Sequence, residues 1–427
     1  MLSSRRLLIS ITIFSFLFFG CKPRTPQLTF AVGGASNEVE YWEKIVSEFT
    51  DSTRIDVVLL RQPTDTDQRR QGLVIPLRSR QQDPDIFLMD VIWVGQFAAS
   101  DWLEPLDSVV ATGDVNLADF FESIVNQVDT YHDSLYALPV YNDCGLLYFR
   151  KDLLEKYGLK PPVTWQQLIR SADIVQENER ITNPHFFGFV WQGAQYEGLV
   201  CNFLEFAASN NGGIIDSAGG IIVYTPENIR AADLMHDLIH KHKISPPNTY
   251  TEMKEEETRL AFENGNALYE RNWPYAWALH NKEGSRVKGK VAAALLPRGH
   301  NGQHAAALGG WHIGISKFSD NKTEAMTFLK FVLSYATQKK LALNLGWNPG
   351  RSDLYEDADV RRKMPHLDVL KNSFDHAVAR PTSPYYTQIS EILQQNQNAA
   401  LSGKSSSDEA LARAQREINE ILQRYNE

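Results

Sequence analysis

Apolar runs alternate with amphipathic segments through the first hundred residues of the chain. The run Leu28 to Val32 predicts a buried strand. A stripe at helical spacing follows it, formed by Val39, Trp42, Val46 and Phe49. Ile55 to Leu60 and Asp85 to Met89 predict two further strands, with a helix near Asp67 to Ser79 between them. Strands that alternate with helices favour a parallel sheet covered by helices on both faces.

The same alternation returns in the second half of the chain. Strands are predicted at Leu146 to Phe149, Phe187 to Trp191 and Val291 to Leu296, with helices at Trp165 to Ile174, Ala231 to Ile239 and Ser407 to Tyr425. A chain of 427 residues is longer than one hydrophobic core usually supports. We therefore expect two α/β lobes, each a mainly parallel sheet flanked by helices, with a ligand cleft between them.

The N-terminal residues have the composition of an export signal. Arg5 and Arg6 precede the apolar run Leu7 to Phe19, which is shorter than the roughly 20 apolar residues of a membrane span. Residues 1–20 are therefore predicted to be a cleaved signal peptide. The following Cys21 sits in a sequence that resembles a bacterial lipobox, although Phe18 and Phe19 occupy positions where small residues are more usual.

We expect Cys21 to carry lipid and residues 21–27 to form a tether, which would place the protein in the periplasm or on the outer face of the cell membrane. A chance cysteine after an ordinary signal is the alternative. The remaining cysteines, Cys144 and Cys201, follow no spacing motif. They could form a disulfide or stay as two buried thiols, and the sequence does not decide between these alternatives.

The charge of the chain excludes one class of partner. The formal net charge is −9, and removal of Arg5 and Arg6 with the signal makes it two units more negative. The sequence contains no tract of clustered Lys and Arg, which the neutralisation of phosphates requires. We therefore expect no nucleic-acid partner.

Polar and aromatic residues gather where the predicted strands end, or in aromatic turns later in the chain. They are Glu38, Asp90, Tyr141, Asp143, Trp273, Tyr275, Gly310 and Trp311. A pyranose has apolar C–H faces that pack on aromatic rings and hydroxyls that donate to carboxylates. This combination at successive strand ends predicts a carbohydrate site.

Each of these residues also has an ordinary structural interpretation. Asp90 could cap the next helix, Glu38 could be a first-turn carboxylate favoured by the helix dipole, and Trp273 could belong to the core. Alternatively, Glu38, Asp90 and Asp143 could supply the acid and base of a secreted glycoside hydrolase.

Other chemistries have weaker support in the sequence. His236 and His240 lie four residues apart on a predicted helix, a spacing that can bind zinc, but no His-Glu-x-x-His motif is present and a surface pair is favoured. A phosphate-binding glycine loop and a Gly-x-Ser-x-Gly elbow are both missing from the sequence. We expect no metal, no cofactor and no catalytic residue.

Several long motifs resemble those of a known family. They include GGASNEVEYW, DPDIFLMDVIWVGQF, LYALPVYND, ERNWPYAW, LGGWHIGISK and LGWNPGR. The chain resembles trehalose/maltose-binding proteins, which are solute-binding proteins that supply ABC sugar importers, from about Leu28 to Tyr425. The resemblance implies a two-lobed periplasmic-binding-protein-like fold that binds its ligand without chemistry.

The resemblance also implies which residues contact the sugar. It supports the eight residues above and adds Arg69 and Arg380, which periodicity alone does not select. Asn142 departs from the apolar residue usual between Tyr141 and Asp143, and it could alter sugar preference or point away from the ligand.

By the same resemblance, the N-terminal lobe would comprise residues 28–142 and about 312–347, and the C-terminal lobe residues 143–311 and about 348–427. The implied partners are trehalose or maltose and the ABC permease subunits, with the chain a monomer held to the membrane by its lipid.

Overall fold

A computed structural model describes residues 27–34, 36–215 and 220–426 of the chain. The predicted signal peptide and Cys21 lie outside the described residues. The strands are β1 (Gln27–Gly33), β2 (Asp56–Gln62), β3 (Ile86–Asp90), β4 (Thr130–Tyr131), β5 (Ser134–Leu135), β6 (Leu138–Cys144), β7 (Leu146–Arg150), β8 (Phe187–Val190), β9 (Ala267–Asn272), β10 (Val291–Ala294), β11 (Ala306–Ile315) and β12 (Ala377–Val378).

The α-helices connect and cover these strands. They are α1 (Ser36–Thr53), α2 (Thr66–Arg78), α3 (Val94–Ala99), α4 (Asp107–Ala111), α5 (Glu122–Ile124), α6 (Lys151–Lys156), α7 (Trp165–Glu179), α8 (Glu197–Ser209), α9 (Pro226–His240), α10 (Glu255–Glu263), α11 (Ala276–His280), α12 (Lys322–Leu333), α13 (Tyr335–Leu345), α14 (Ala358–Lys363), α15 (Leu367–Phe374), α16 (Tyr386–Leu401) and α17 (Ser407–Asn426).

Local sequence explains where several helices begin. Thr164 caps α7 by accepting from the backbone N–H of Gln167, whose side chain accepts in return from the Thr164 N–H. Thr225 caps α9, and Pro226 occupies its first turn, where a missing N–H costs nothing. The apolar stripe predicted for α1 is confirmed, since its residues are buried.

The first lobe surrounds a six-stranded sheet. Its order is β12-β11-β3-β1-β2, and β6 also pairs with β11. Helices α1 and α12 pack on this sheet through a cluster of aromatic rings. Phe30 of β1 meets Trp42 and Phe328 edge to face, with ring centroids 5.1 Å apart in both pairs. Burial of these rings holds the helices to the sheet.

The second lobe surrounds a four-stranded sheet in the order β10-β7-β9-β8. Helices α7, α8, α9 and α16 enclose a separate core. Trp165 stacks on Phe206 with a centroid distance of 4.0 Å, and its indole N–H donates to Ser209. The buried indole therefore has both an apolar and a polar partner.

Both sheets are mixed rather than mainly parallel. In the first sheet β1 is parallel to β2 and β3, but β11 is antiparallel to β3 and β6. In the second sheet β8 and β9 are parallel, and β7 is antiparallel to β9 and β10. Strands β6 and β11 are not joined to their neighbours by strand-helix-strand connections, which would make them parallel. They carry the chain from one lobe to the other, and this sets their direction.

The chain passes between the two sheets along β6 and β11. A single residue, Gly145, separates the end of β6 from the start of β7. Strand β11 pairs with β12 at its start and with β3 at its end. The boundaries expected at residues 142, 312 and 347 stay predictions.

Candidate functional site

A cleft of about 830 Å³ lies between the two sheets. The ten residues predicted to contact a ligand all line it: Glu38, Arg69, Asp90, Tyr141, Asp143, Trp273, Tyr275, Gly310, Trp311 and Arg380. The structure therefore brings together side chains from α1, α2, β3, β6, β11 and the turn after β9. Their contact with a ligand remains a prediction.

Asp90 ends β3 and has two roles in the structure. Its Oδ1 accepts from the backbone N–H of Ile92 at 3.2 Å, so the capping interpretation is confirmed. The same carboxylate lines the cleft and lies 3.5 Å from the guanidinium of Arg380. Burial raises the pKa of Asp90, and the positive charge of Arg380 opposes that rise.

Tyr141 and Asp143 lie on the cleft side of β6, and Asn142 lies on the other side. This follows from the alternation of side chains along a strand. Asn142 is buried and donates to the carbonyl of Gly350 at 3.2 Å, so it fastens β6 to a loop and does not line the cleft. The unusual residue at position 142 therefore affects the strand that crosses between the lobes and not the lining of the cleft.

Asp143 is a half-buried carboxylate with one strong side-chain partner. Its Oδ1 accepts from Asn348 Nδ2 at 2.8 Å. Burial raises the pKa of Asp143 to about 7, although the hydrogen bond from Asn348 works against that rise. The second carboxylate oxygen can accept from a ligand hydroxyl.

Trp347 lines the cleft and was missed by the sequence reasoning. Its indole Nε1 donates to Glu38 Oε1 at 2.8 Å, and its ring lies 4.4 Å from that of Tyr141. It follows helix α13 rather than a strand, so a search at strand ends cannot select it. A tryptophan next to Asn348 in the quoted LGWNPGR motif was the signal available.

Gly310 and Trp311 lie inside β11 and not in the predicted aromatic turn, because β11 pairs with β3 and β6 there. Trp311 packs between two groups of the first lobe. The guanidinium of Arg69 lies 4.3 Å from its ring, and Trp93 meets it edge to face at 5.3 Å. Arg69 is only 6% exposed and donates through Nε to the carbonyl of Pro63 at 2.6 Å. Burial lowers the pKa of Arg69, which nevertheless remains a cation at neutral pH.

Gly310 precedes Trp311 and has a backbone that other residues adopt only with strain. Its φ is +138°, and a Cβ there would lie 2.5 Å from the carbonyl oxygen of Tyr141. Glycine therefore lets β6 and β11 approach closely at the cleft.

Trp273 and Tyr275 belong to the turn after β9. The hydroxyl of Tyr275 donates to Glu256 Oε1 at 2.8 Å, and burial raises the pKa of that hydroxyl. The indole Nε1 of Trp273 lies 3.4 Å from Glu255 Oε1, and the ring is half-buried. Trp273 thus touches the core, as its ordinary interpretation required, while it also faces the cleft.

Arg380 is held by Glu197, a second residue that the sequence reasoning missed. Arg380 Nη1 donates to Glu197 Oε1 at 2.9 Å, and Nη2 donates to the carbonyl of Leu308 at 3.1 Å. Glu197 also accepts from the hydroxyls of Tyr386 and Ser390. Arg380 is 5% exposed, and Glu197, whose side chain positions it, begins helix α8.

Carboxylates outnumber cationic groups along the lining of the cleft. An anionic ligand would therefore meet repulsion, whereas a neutral ligand with many hydroxyls would find acceptors, guanidinium donors and several aromatic faces. Within residues 27–34, 36–215 and 220–426, no group of three or more His, Cys, Asp or Glu side chains could hold a metal ion.

The remaining candidate groups lie outside this cleft or are not reactive. His236 and His240 stack on each other at 4.3 Å, and a ring nitrogen of His240 pairs with the carbonyl of Leu401 at 2.8 Å. Cys144 and Cys201 are free and buried, and burial raises the pKa of Cys201 to about 12. No helix in the part of the chain that the structure describes is both long and apolar enough to span a bilayer.

The chain matches a family model described as bacterial extracellular solute-binding protein over residues 35–339. It is 36% identical over 389 residues to a probable ABC transporter-binding protein of Deinococcus radiodurans, covering 90% of this chain and 91% of that protein. It is 24% identical over 402 residues to a mannitol-binding protein of Pseudomonas aeruginosa, covering 89% of each chain.

Solved structures of similar proteins have the same two-lobed architecture. The maltose-bound MalE3 of T. maritima superposes with a TM-score of 0.86 at 38% identity, covering 92% of this chain and 99% of that one. A solute-binding protein of Thermotoga lettingae bound with α-D-tagatose gives a TM-score of 0.83 at 27% identity, covering 93% and 100%. The expected two-lobed α/β fold is confirmed.

Proposed function

The chain belongs to the family of bacterial extracellular solute-binding proteins, and we propose that it captures a glucose disaccharide, trehalose or maltose, for an ABC importer. The T. maritima protein was solved with maltose, which supports a disaccharide, whereas the T. lettingae protein was solved with α-D-tagatose and the P. aeruginosa relative is named for mannitol. The sugar class follows from the family and the cleft together, and the disaccharide is our specific proposal.

The observation that carries the proposal is the composition of the cleft. Trp273 follows β9 of the second sheet, Trp311 lies on β11 beside β3 of the first, and Asp90 and Asp143 line the same cleft. Aromatic rings can pack on the C–H faces of two glucose units, and the carboxylates can accept from their hydroxyls. A volume of about 830 Å³ accommodates a ligand larger than a single hexose.

Binding would favour the closed arrangement of the lobes. A ligand shifts such an equilibrium only through contacts that it makes in one state and not in the other. Asp90 belongs to the first lobe and Trp273 to the second, so a sugar that lies between the lobes gains both partners only when the lobes approach. The closed protein would then present both lobes to the permease subunits.

The proposed location is outside the cytoplasm, as the family name indicates. We further propose that lipid on Cys21 keeps a monomer at the membrane surface, close to the permease. This anchor rests on the lipobox-like sequence alone.

Titration calorimetry on the chain without residues 1–20 tests the ligand directly. Trehalose, maltose, sucrose, glucose, α-D-tagatose and D-mannitol are each titrated at the same pH and salt concentration. We expect the tightest binding with trehalose or maltose and weaker binding with glucose, α-D-tagatose and D-mannitol. Absence of heat with all three disaccharides would exclude the proposed ligand, and preference for tagatose or mannitol would reassign it.

A glucose-release assay tests the hydrolase alternative. The protein is incubated with maltose or trehalose, and free glucose is measured over hours. We expect no release above buffer, because the family is one of solute-binding proteins and the D. radiodurans relative is described as a probable ABC transporter-binding protein. Sustained release that disappears in Asp90→Asn would establish an enzyme instead.

A further inference from the structure

The face of Trp273 that is turned away from the cleft lies against a buried arginine. The guanidinium carbon of Arg271 is 4.1 Å from the centre of the Trp273 ring system. Arg271 is 1% exposed and does not line the cleft, whereas Trp273 is half-buried and does. The indole therefore stands between the guanidinium and the space for the ligand.

The plane of this guanidinium is fixed by its other partners. Arg271 Nε donates to Glu205 Oε2 at 2.8 Å, and Nη2 donates to Glu205 Oε1 in a paired arrangement. Nη1 donates to Gln192 Oε1 at 3.2 Å, and Glu205 also accepts from the backbone N–H of Ala307 at 3.1 Å. The arginine is thus tied to α8, to the segment after β8 and to β11, and it cannot rotate freely.

Two glycines leave the space that this arrangement needs. A Cβ at Gly145 would lie 2.8 Å from Arg271 Nη2, and a Cβ at Gly309 would lie 3.0 Å from Cζ3 of Trp273. Both glycines belong to the segments that pass between the lobes. Their missing side chains let the guanidinium and the indole fit beneath the cleft.

A buried ion pair is a poor way to gain stability, because apolar residues of similar volume often stabilise a core as well. An arginine has a property that those residues lack, since its flat cation stacks on an indole while its edge is held by a carboxylate. We infer that Arg271 is a positioning residue that holds the indole of Trp273 in the orientation required for ligand stacking. This inference rests on the proposed function, because Trp273 is taken to contact the sugar.

Arg271 also acts on the cleft by a second route, which the experiment must separate. Burial raises the pKa of Asp143, and the charge of Arg271 is among the groups that oppose this rise. Arg271→Lys keeps the charge but loses the flat stacking surface and the paired hydrogen bonds to Glu205. It therefore perturbs the indole more than it perturbs Asp143.

The test is a double-mutant cycle read by sugar affinity. Arg271→Lys is measured in the wild-type background and in Trp273→Ala, with the disaccharide that binds the wild-type protein. We expect a loss of about three- to tenfold when Trp273 is present and less than about twofold when it is absent. An equal loss in both backgrounds, or no loss in the first, would overturn the inference.

A matched control separates this effect from the general cost of changing a buried arginine. Arg150 is 8% exposed, makes a paired contact with Asp152 in the same lobe and does not line the cleft. Arg150→Lys should leave sugar affinity unchanged. If it reduces affinity as much as Arg271→Lys does, the effect on binding is not specific to Trp273.

A readout without sugar keeps the inference testable if the proposed ligand is wrong. The near-ultraviolet circular dichroism of the wild type minus that of Trp273→Phe isolates the signal of this indole. The same difference taken in the Arg271→Lys background should be reduced, because the indole loses its fixed orientation. An unchanged difference spectrum would overturn the positioning role, whereas absence of sugar binding in the wild type would overturn only the proposed function.

Discussion

Replacement of Asp143 by asparagine should lower sugar affinity and raise the stability of the empty protein. The substitution keeps the shape of the side chain and an oxygen that can accept from Asn348 Nδ2, which lies 2.8 Å from the carboxylate. It removes the negative charge and turns the second oxygen into a donor. The two effects have opposite signs, so one variant tests both the ligand contact and the cost of burying the carboxylate.

The expected loss of affinity follows from the hydrogen bonds that the carboxylate would accept from a sugar. Hydrogen bonds to a charged group contribute about 1.5–3 kcal/mol. Loss of one such bond at pH 8 should therefore weaken binding by about 10- to 100-fold. An affinity within twofold of the wild type would show that Asp143 does not hold the ligand through its charge.

The expected gain in stability follows from the raised pKa. Because the folded protein binds this proton more tightly than the unfolded chain does, Asp143 stabilises the fold below pH 3.8. That contribution is lost as the pH rises from 3.8 to about 7. At about 1.4 kcal/mol per pKa unit, the free energy of unfolding falls by an amount on the order of a few kcal/mol over this range. The asparagine variant has no carboxyl to ionise, so its stability does not fall in this way.

Urea unfolding of the empty protein at pH 4.5 and pH 8 measures this difference. The asparagine variant should exceed the wild type in free energy of unfolding at pH 8, and the gap should narrow at pH 4.5. The control for the affinity measurement is Asp114→Asn, which lies on the surface of the first lobe and outside the cleft and should leave sugar affinity unchanged. A stability difference that is the same at both pH values would refute the argument from the buried carboxyl.

Three further substitutions test other parts of the molecule. Gly310→Ala should lower the free energy of unfolding in urea by about 3 kcal/mol or more, because Gly310 has a positive φ and approaches β6 closely. The control Gly113→Ala, at a position with φ +74° and open space around it, should cost only about 1–2 kcal/mol. Trp347→Phe removes the donor to Glu38 and should weaken sugar binding about fivefold by calorimetry, with the fold retained. Cys21→Ser should move the protein from the detergent phase to the aqueous phase in Triton X-114 partition, and an unchanged distribution would disprove the lipid anchor.

The strands and helices that were predicted share a local cause. Each predicted strand is a short apolar run, and each predicted helix carries an apolar stripe or a cap that neighbouring residues define. Asp90 and Asp143 were found because each is a carboxylate that interrupts an apolar run. Asp90 ends β3 as predicted, but Tyr141 and Asp143 lie inside β6 rather than after a strand, because pairing with β11 extends β6 to Cys144. Local patterns were therefore enough to place much of the first lobe and part of the cleft.

The missed residues depend on contacts between distant parts of the chain. Strand β11 is rich in Ala and Gly and has weak strand propensity, so its pairing with β3 and β6 determines its conformation. Glu197 begins a helix and reaches Arg380 across 183 residues of sequence. Arg271 looks like an ordinary strand residue until Trp273 and Glu205 are seen on either side of it. No local pattern contains this information.

The register between β6 and β11 places several cleft residues on the strands that cross between the lobes, which bears on the proposed closure. Tyr141 pairs with Trp311 and Asp143 pairs with Gly309, so these cleft residues stand on the strands that cross between the lobes. Asp90 and Trp273, by contrast, belong to separate lobes. We expect a sugar to bind first on the crossing strands, and closure then to add Asp90 and Trp273. Substitutions on the crossing strands should therefore weaken the first encounter with the sugar, whereas substitutions on the lobes should weaken closure itself. Small-angle scattering at saturating sugar can distinguish them, because only the second kind of variant should stay open when sugar is bound.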